Sequence, residues 1–378
     1  MTDVSDDRNT PPFRKIVVAF DSFKGCLSAE AACRAAAEGI QAVCPKAAVV
    51  QLPLSDGGEG LVACVRQMLP TVDRYLTVHG PLMEPVRCSY ALSADGKTAY
   101  MEMAAASGLT LVPEDKRNPL KTTTYGVGEM MADAISLGCE RIVMGIGGSA
   151  TCDAGEGMLK ALRDHDCLDT TCRCTVACDV TNPLYGEKGA AYVFAPQKGA
   201  TPEQVAELDR RLRDFAHRTE QAGIASPDTA NHPGAGAAGG LGYALLAYLH
   251  AELRSGIAIV LDLARFDTTI RDADLVITGE GKSDAQTLMG KVPCGVQKRC
   301  RQAGIPVWLL SGAIDDDGGL LSDHFDRVHS INENDTRPLA RLLLPEVAEE
   351  NIRKTVRRLM GAELTTMAQA TKAIPSDT

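Results

Sequence analysis

The chain has 378 residues, with 49 acidic against 39 basic side chains and a net charge of −10. At roughly 150 residues per domain this suggests about two domains, with a core large enough to need no disulfide or metal staple. An acidic chain argues against a general nucleic-acid binder, the lack of ~20 uninterrupted apolar residues against a membrane-spanning helix, and glycine without a three-residue period against collagen.

Residues 1–14 are expected to form a disordered tail, because MTDVSDDRNTPP is polar and acidic. It has neither the basic nor the apolar part of an export signal, so a cytoplasmic protein is expected. Lys15–Phe20 (KIVVAF) predicts a buried strand, and Ser28 can cap a following helix. That helix sets Ala32, Ala36, Ile40 and Val43 on one face. Val49–Leu54 predicts a second strand, and a helix should begin near Gly58. This alternation opens a doubly wound α/β sheet.

The middle of the chain changes character. Arg74–His79, Val86–Leu92 and Thr98–Met103 predict successive strands of an antiparallel or mixed sheet. Helices are expected at Tyr125–Leu137, Asp153–Leu162, Pro202–Gln221 and Gly239–Leu253, with a strand at Arg141–Met144. The α/β rhythm returns with strands at Ala273–Thr278 and Pro306–Leu310, a helix at Pro293–Ala303 and a helical C-terminus over Ala340–Met360. The expected fold is α/β in two domains. Residues 15–68 and 272–378 form a doubly wound domain from both chain ends, and a mixed α+β domain, 69–271, is inserted.

The thirteen cysteines are an odd number in a long chain without an export signal, which favours reduced thiols filling small core volumes. The densest run, Cys167, Cys172, Cys174 and Cys178, contains no CxxC pair of the kind zinc sites use.

Glycine makes up about 9% of the chain against a usual ~7%, and eighteen of the 35 glycines fall in five segments. These are DSFKG (21–25), SDGGEG (55–60), GIGGSATCDAGEG (145–157), PGAGAAGGLG (233–242) and GEGKSDAQTLMGKVPCG (279–295). Loops that follow a strand and open a helix offer unpaired N–H groups to phosphate. Two look-alikes are set aside. Gly281-Lys282-Ser283 lacks the first glycine of a Walker A motif, since Val276 stands there. Gly234, Gly236 and Gly239 satisfy GxGxxG but follow Asn231-His232-Pro233 instead of a strand, which weakens a dehydrogenase reading.

The polar residues of the loops carry the chemistry. Lys24 is placed for an anion contact. Asp56, Glu59, Asp153, Glu156, Asp179, Glu280 and Asp284 are carboxylates beside such loops, suited to Mg²⁺ or to deprotonating a hydroxyl, and equally suited to capping helices. Ser149 and Thr151 can cap a helix or donate to a phosphate or carboxylate. The histidines show no nucleophile signature.

AFDSFKGCLSA, LSDGGEG, GIGGSATCDAGEGML, ACDVTNPLYGEKGAA, FAPQKGA, PGAGAAGGLG and DLVITGEGKSDAQTLMGKVPCGV resemble, in this order, the motifs of the bacterial-type glycerate kinase family. The family usually has asparagine where Cys152 stands and Arg-Leu where Lys282-Ser283 stand. The resemblance implies a flavodoxin-like domain from both chain ends and an inserted domain likened to restriction-endonuclease folds. It further implies transfer of the γ-phosphoryl group of ATP to D-glycerate with Mg²⁺, most often giving 2-phosphoglycerate. The expected partner is therefore a small molecule, with no nucleic acid and no membrane. On this reading Lys24, Asp179 and Asp284 are catalytic, with Asp284 or Asp179 taking the hydroxyl proton. Gly147, Gly148, Ser149, Gly236, Gly239, Gly240, Lys282 and Lys291 bind the anionic cosubstrate, and Asp56 or Glu280 helps to hold Mg²⁺.

Overall fold

The computed structural model describes residues 13–55 and 60–372. Strands β1 (Lys15–Phe20) and β2 (Ala48–Gln51) come first, joined by the helix Ala29–Gln41. After the helix Leu61–Met68 follow β3 (Thr71–His79), β4 (Pro85–Ser93), β5 (Thr98–Glu102), β6 (Arg141–Gly145), β7 (Arg173–Ala177) and β8 (Glu252–Arg254). The last part carries β9 (Leu275–Gly279), β10 (Lys282–Ser283), β11 (Val307–Ser311), β12 (Ala313–Ile314) and β13 (Arg327–Ser330). The chain divides into two compact units, residues 1–56 with 261–378, and residues 57–260.

The first unit is built on a five-stranded sheet in the order β13-β11-β9-β1-β2, every pair parallel. Its inner strands are near-continuous apolar runs because parallel strands are covered on both faces. In β1 Ile16 to Phe20 are all buried, as are all five residues of β9 and of β11. Phe20, Ile277, Trp308, Ile352 and Val356 join one core. Ser28 Oγ accepts from the Ala31 amide and caps the first helix, which buries Ala32, Ala36 and Ile40. Residues 1–12 of the expected tail lie outside the described residues, but its last two belong to the body. Phe13 is buried, and the Arg14 amide donates to Asp274 Oδ2 at 2.6 Å.

The second unit is built on a six-stranded mixed sheet in sequence order β3 to β8. The β3-β4-β5 pairs are antiparallel and the β5-β6-β7-β8 pairs parallel. The helix Pro202–Gln221 starts with a capping box between Thr201 and Gln204 and turns Val205, Leu208, Leu212 and Phe215 inward. The helix expected at Gly239–Leu253 runs from Ala237 to Leu249, with Ala238, Gly239 and Gly240 in left-handed backbone, while Leu253 belongs to β8. Sheet pairing with β7 overrode local helix propensity there.

All thirteen cysteines are free, and eleven are buried. Burial pushes the Cys174 thiol up to about 12. Among the described residues no helix is long and apolar enough to cross a membrane, and no cluster of three or more His, Cys, Asp or Glu is suited to a metal.

Candidate active site

In the first unit the strand order reverses between β1 and β9, since β2 lies on one side of β1 and every later strand on the other. Open parallel sheets bind ligands outside the C-terminal ends of their strands at such a point. The loops leaving β1 and β9 meet there. The Asp21 amide donates to Gly279 O at 2.9 Å, and a Cβ on Gly281 would lie 3.3 Å from the Lys24 amide nitrogen. Glycine is what lets the two loops approach this closely. The loop leaving β11 joins them through Gly312 N to Glu280 O, 3.2 Å, and through the short parallel pair β10-β12.

Side chains on these loops form a charged cluster. Glu280 is buried. Its Oε1 accepts from Thr287 Oγ1 at 2.6 Å and from Ser283 Oγ at 3.2 Å, and its Oε2 faces Lys291 Nζ at 3.3 Å. Ser283, which stands where the resembled family usually has leucine, also shares a 2.7 Å hydrogen bond with Ser311. The hydroxyl is therefore accommodated in the buried site. Lys282 is more exposed and lies 3.4 Å from Asp284 and 3.7 Å from Asp315. Partial desolvation acts to raise the Asp284 carboxyl. The Gln286 amide with Lys282 and Lys291 outweighs it, so the group sits below the usual carboxylate range. Asp284 also caps the turn Ala285–Met289. Lys24 is exposed and makes no ion pair among the described residues.

The second unit carries its own loop set at the C-terminal ends of β6 and β7. Gly147, Gly148 and Ser149 follow β6, and among the described residues their amides have no protein acceptor. Gly148 is exposed with φ +70°. The loop is held from behind by Gly148 O accepting from Leu109 N and by the Ala150 amide donating to Ser107 O. Beneath it lies Lys198, 3% exposed, whose Nζ donates to Ser149 Oγ at 2.6 Å and to Thr151 O at 2.7 Å. Burial pulls its ammonium down to about 8. Lys198 stands in the FAPQKGA motif, but its burial leaves no mark in the local sequence pattern, so the sequence alone assigns it no role.

Gly239 packs against Thr151 and Cys152 and Gly240 against Ala154, in the continuation of this loop, while Gly236 packs against Asn182 and Pro183. The Gly236 amide donates to Asn182 O and the Gly240 amide to Gly236 O. A Cβ on Gly239 would run into the Thr151 carbonyl oxygen. These are buried packing contacts, and the two engaged amides are not available to a phosphate. The Gly236 and Gly240 amides are therefore engaged within the protein, while Gly239 closes against the Thr151 carbonyl and accepts from the Ala154 amide. Asp179, exposed after β7, accepts from the Gly256 amide at 3.1 Å. Asp153 accepts from the Thr124 amide and hydroxyl and from the Gly155 and Gly157 amides, so it organises a helix start. Asp56 and Glu59 lie outside the described residues.

Fold and loops together define an α/β protein that sets glycine-rich loops and lysines at the C-terminal ends of its parallel strands. The model of the glycerate kinase family matches residues 16–171 and 163–363. A glycerate kinase of Bacillus subtilis (strain 168) is 46% identical over 346 residues, covering 84% of this chain and 90% of the relative. A glycerate 2-kinase of Escherichia coli (strain K12) is 43% identical over 345 residues, again 84% and 90%. The crystal structure of a Salmonella typhimurium LT2 protein, described as a candidate glycerate kinase 2, superposes with a TM-score of 0.79 at 40% identity. It covers 94% of this chain and all of that one. The chain belongs to the glycerate kinase family.

Proposed function

We propose that the protein is an ATP-dependent glycerate 2-kinase, moving the γ-phosphoryl group onto the 2-hydroxyl of D-glycerate. The observation that carries this reading is the family match from residue 16 to residue 363. In the transfer the bond from the γ-phosphorus to the ADP oxygen breaks, a bond to the substrate oxygen forms, and the hydroxyl proton passes to a carboxylate. Such chemistry depends on positioning and on stabilising charge.

The amides of Gly147, Gly148 and Ser149 are the donors we assign to anionic oxygen. Lys24, Lys282 and Lys291 balance charge, and Asp284 or Asp179 takes the proton. Support comes from the unclaimed amides after β6 and from the position of the Lys24 and Glu280–Asp284 loops at the strand-order reversal. Mg²⁺ would neutralise phosphate charge when bound with ATP. Of its two expected ligands, Asp56 lies outside the described residues. Glu280 already faces three donors, Thr287, Ser283 and Lys291, which leaves about one of the roughly four acceptor sites of its carboxylate for the ion.

The finer fold reading is a flavodoxin-like unit from both chain ends with an inserted restriction-endonuclease-like unit. The parallel order 2-1-3-4-5, counting the five main strands of the first unit, supports its first half. Thirteen free cysteines suit a reducing compartment such as the cytoplasm.

The test is phosphorus NMR of the purified chain with D-glycerate, Mg²⁺ and ATP. A 2-phosphoglycerate signal growing with ADP is expected. No ATP-dependent phosphorylation of glycerate would overturn the activity, and 3-phosphoglycerate would overturn the position.

A further inference from the structure

We propose that Lys198 is a positioning residue that turns the Ser149 hydroxyl outward as a hydrogen-bond donor to an oxyanion seated on the amides of Gly147, Gly148 and Ser149. The inference rests on the reading that this loop holds an anionic group of one of the two substrates, either a phosphate of ATP or the carboxylate of D-glycerate.

A lysine ammonium has three N–H donors and no acceptor. At 2.6 Å from Nζ, Ser149 Oγ is therefore the acceptor, and its own O–H must donate elsewhere. Among the described residues that hydroxyl has no acceptor. Ser149 is half-buried, on the same loop as three amides that have no acceptor among the described residues. Four donors on three consecutive residues are thus left for a ligand.

Charge points the same way. Lys198 is almost fully buried, and among the described residues no carboxylate lies within ion-pair distance of its Nζ. A buried cation without a counter-ion is costly, and an oxyanion on the loop would offset that cost. Thr151 Oγ1, on the same loop, is also fully buried and without a hydrogen-bond partner. The titratable groups that face Lys198 are Cys152 and Asp153; the Asp153 carboxylate favours its charged form, while burial pushes the Cys152 thiol up to about 11 and leaves it neutral there.

The arrangement has a polarity that pH can reverse. Once Lys198 loses a proton, its neutral nitrogen becomes an acceptor. The Ser149 hydroxyl can then donate inward and is lost to the ligand. Burial pulls Lys198 down to about 8, and a bound anion favours its charged form. Affinity should therefore weaken as pH rises through that region.

The experiment measures kcat and both KM values from pH 7 to 9.5, with calorimetric titration of ATP and of D-glycerate, for the full chain and its variants. At pH 7, Lys198→Met is expected to raise one KM about tenfold, with a smaller change in kcat, and to abolish its alkaline rise. Ser149→Ala should raise the same KM about fivefold and flatten the rise, and the double variant should be little worse than Lys198→Met alone. The substrate whose KM moves identifies the oxyanion as phosphate or carboxylate. If Lys198→Met does not fold, Ser149→Ala decides. Both KM values unchanged in a folded variant, or fully additive effects, would overturn the inference. Because calorimetry needs no turnover, loss of the proposed activity and loss of this role give different results.

Discussion

Lys291 Nζ lies 3.3 Å from Glu280 Oε2, tying the residue just ahead of the helix Val292–Ala303 to the loop that leaves β9. The carboxylate also gathers Thr287 and Ser283, so one buried acid organises a loop that also carries Lys282. Glu280→Ala leaves three donors without their acceptor and is expected to cost about 2–3 kcal/mol, with Glu280→Gln costing less. Urea unfolding of both variants measures this, and equal stability to the parent would contradict it.

Lys24 has the opposite profile. It is exposed and makes no ion pair among the described residues, so the fold does not depend on its charge. Lys24→Ala should lower kcat/KM about a hundredfold while leaving the thermal midpoint within a degree or two. A large loss of stability with intact kcat/KM would reverse the assignment.

Asp284 is held below the usual carboxylate range, chiefly against desolvation, by the Gln286 amide and its lysine neighbours. Its anion, the form a proton acceptor needs, therefore persists to lower pH than in a free carboxylate. The acid limb of kcat/KM assigned to this group should fall below pH ~4. Asp284→Asn should reduce kcat by about 10²–10⁴-fold. A pH–rate profile with an acid limb near 6 that vanished in Asp284→Asn would count against the depressed value.

Two glycines of the second unit separate packing from binding. Gly239 has φ +68°, and a Cβ there would strike the Thr151 carbonyl. Gly239→Ala is expected to cost about 2–4 kcal/mol. Gly148 has φ +70° but more room, the nearest atom to an added Cβ being Ala104 Cβ at 3.4 Å. Gly148→Ala should cost about 1 kcal/mol and act mainly on substrate affinity. Thermal unfolding paired with KM measurements distinguishes the two.

Asp133 in the helix Tyr125–Ser136 accepts from Tyr90 Oη at 2.7 Å and pairs with Arg74 at 2.8 Å. The Arg74 hydrogen bond, opposed by desolvation and helped by Tyr90, holds its carboxyl below the ordinary range. The folded value is below the unfolded one, so the stabilisation is complete above pH ~4 and is lost as pH falls through the folded value. Asp133→Asn should cost about 1–2 kcal/mol at pH 7 and less at pH 3. Denaturant titrations at the two pH values check the sign.

Much of the architecture was legible from local pattern. KIVVAF, DLVIT and VWLL announce strands buried on both faces because their apolar runs are unbroken. Ser28 marks a helix start, and Pro202–Gln221 shows its inward stripe directly. Polar β13 was missed, since Arg327–Ser330 is strand only by pairing with β11. The ordered glycine motifs identified the family. They did not separate Gly147 and Gly148, with amides unclaimed by any described residue, from Gly236 and Gly240, with amides already donated.

That separation required three-dimensional contacts. Composition and spacing report periodicity and local chain stiffness, which are properties of neighbours in sequence. They settled the α/β character, the mixed middle sheet and the positions of the loops. Which loops touch, and which side chains lose water, depends on residues far apart in the chain. Lys24 meets Gly281 from the opposite chain end, and Lys198 reaches Ser149 across 49 residues. The burial that lowers the Lys198 ammonium and the lysines that depress Asp284 arise only when those distant segments pack.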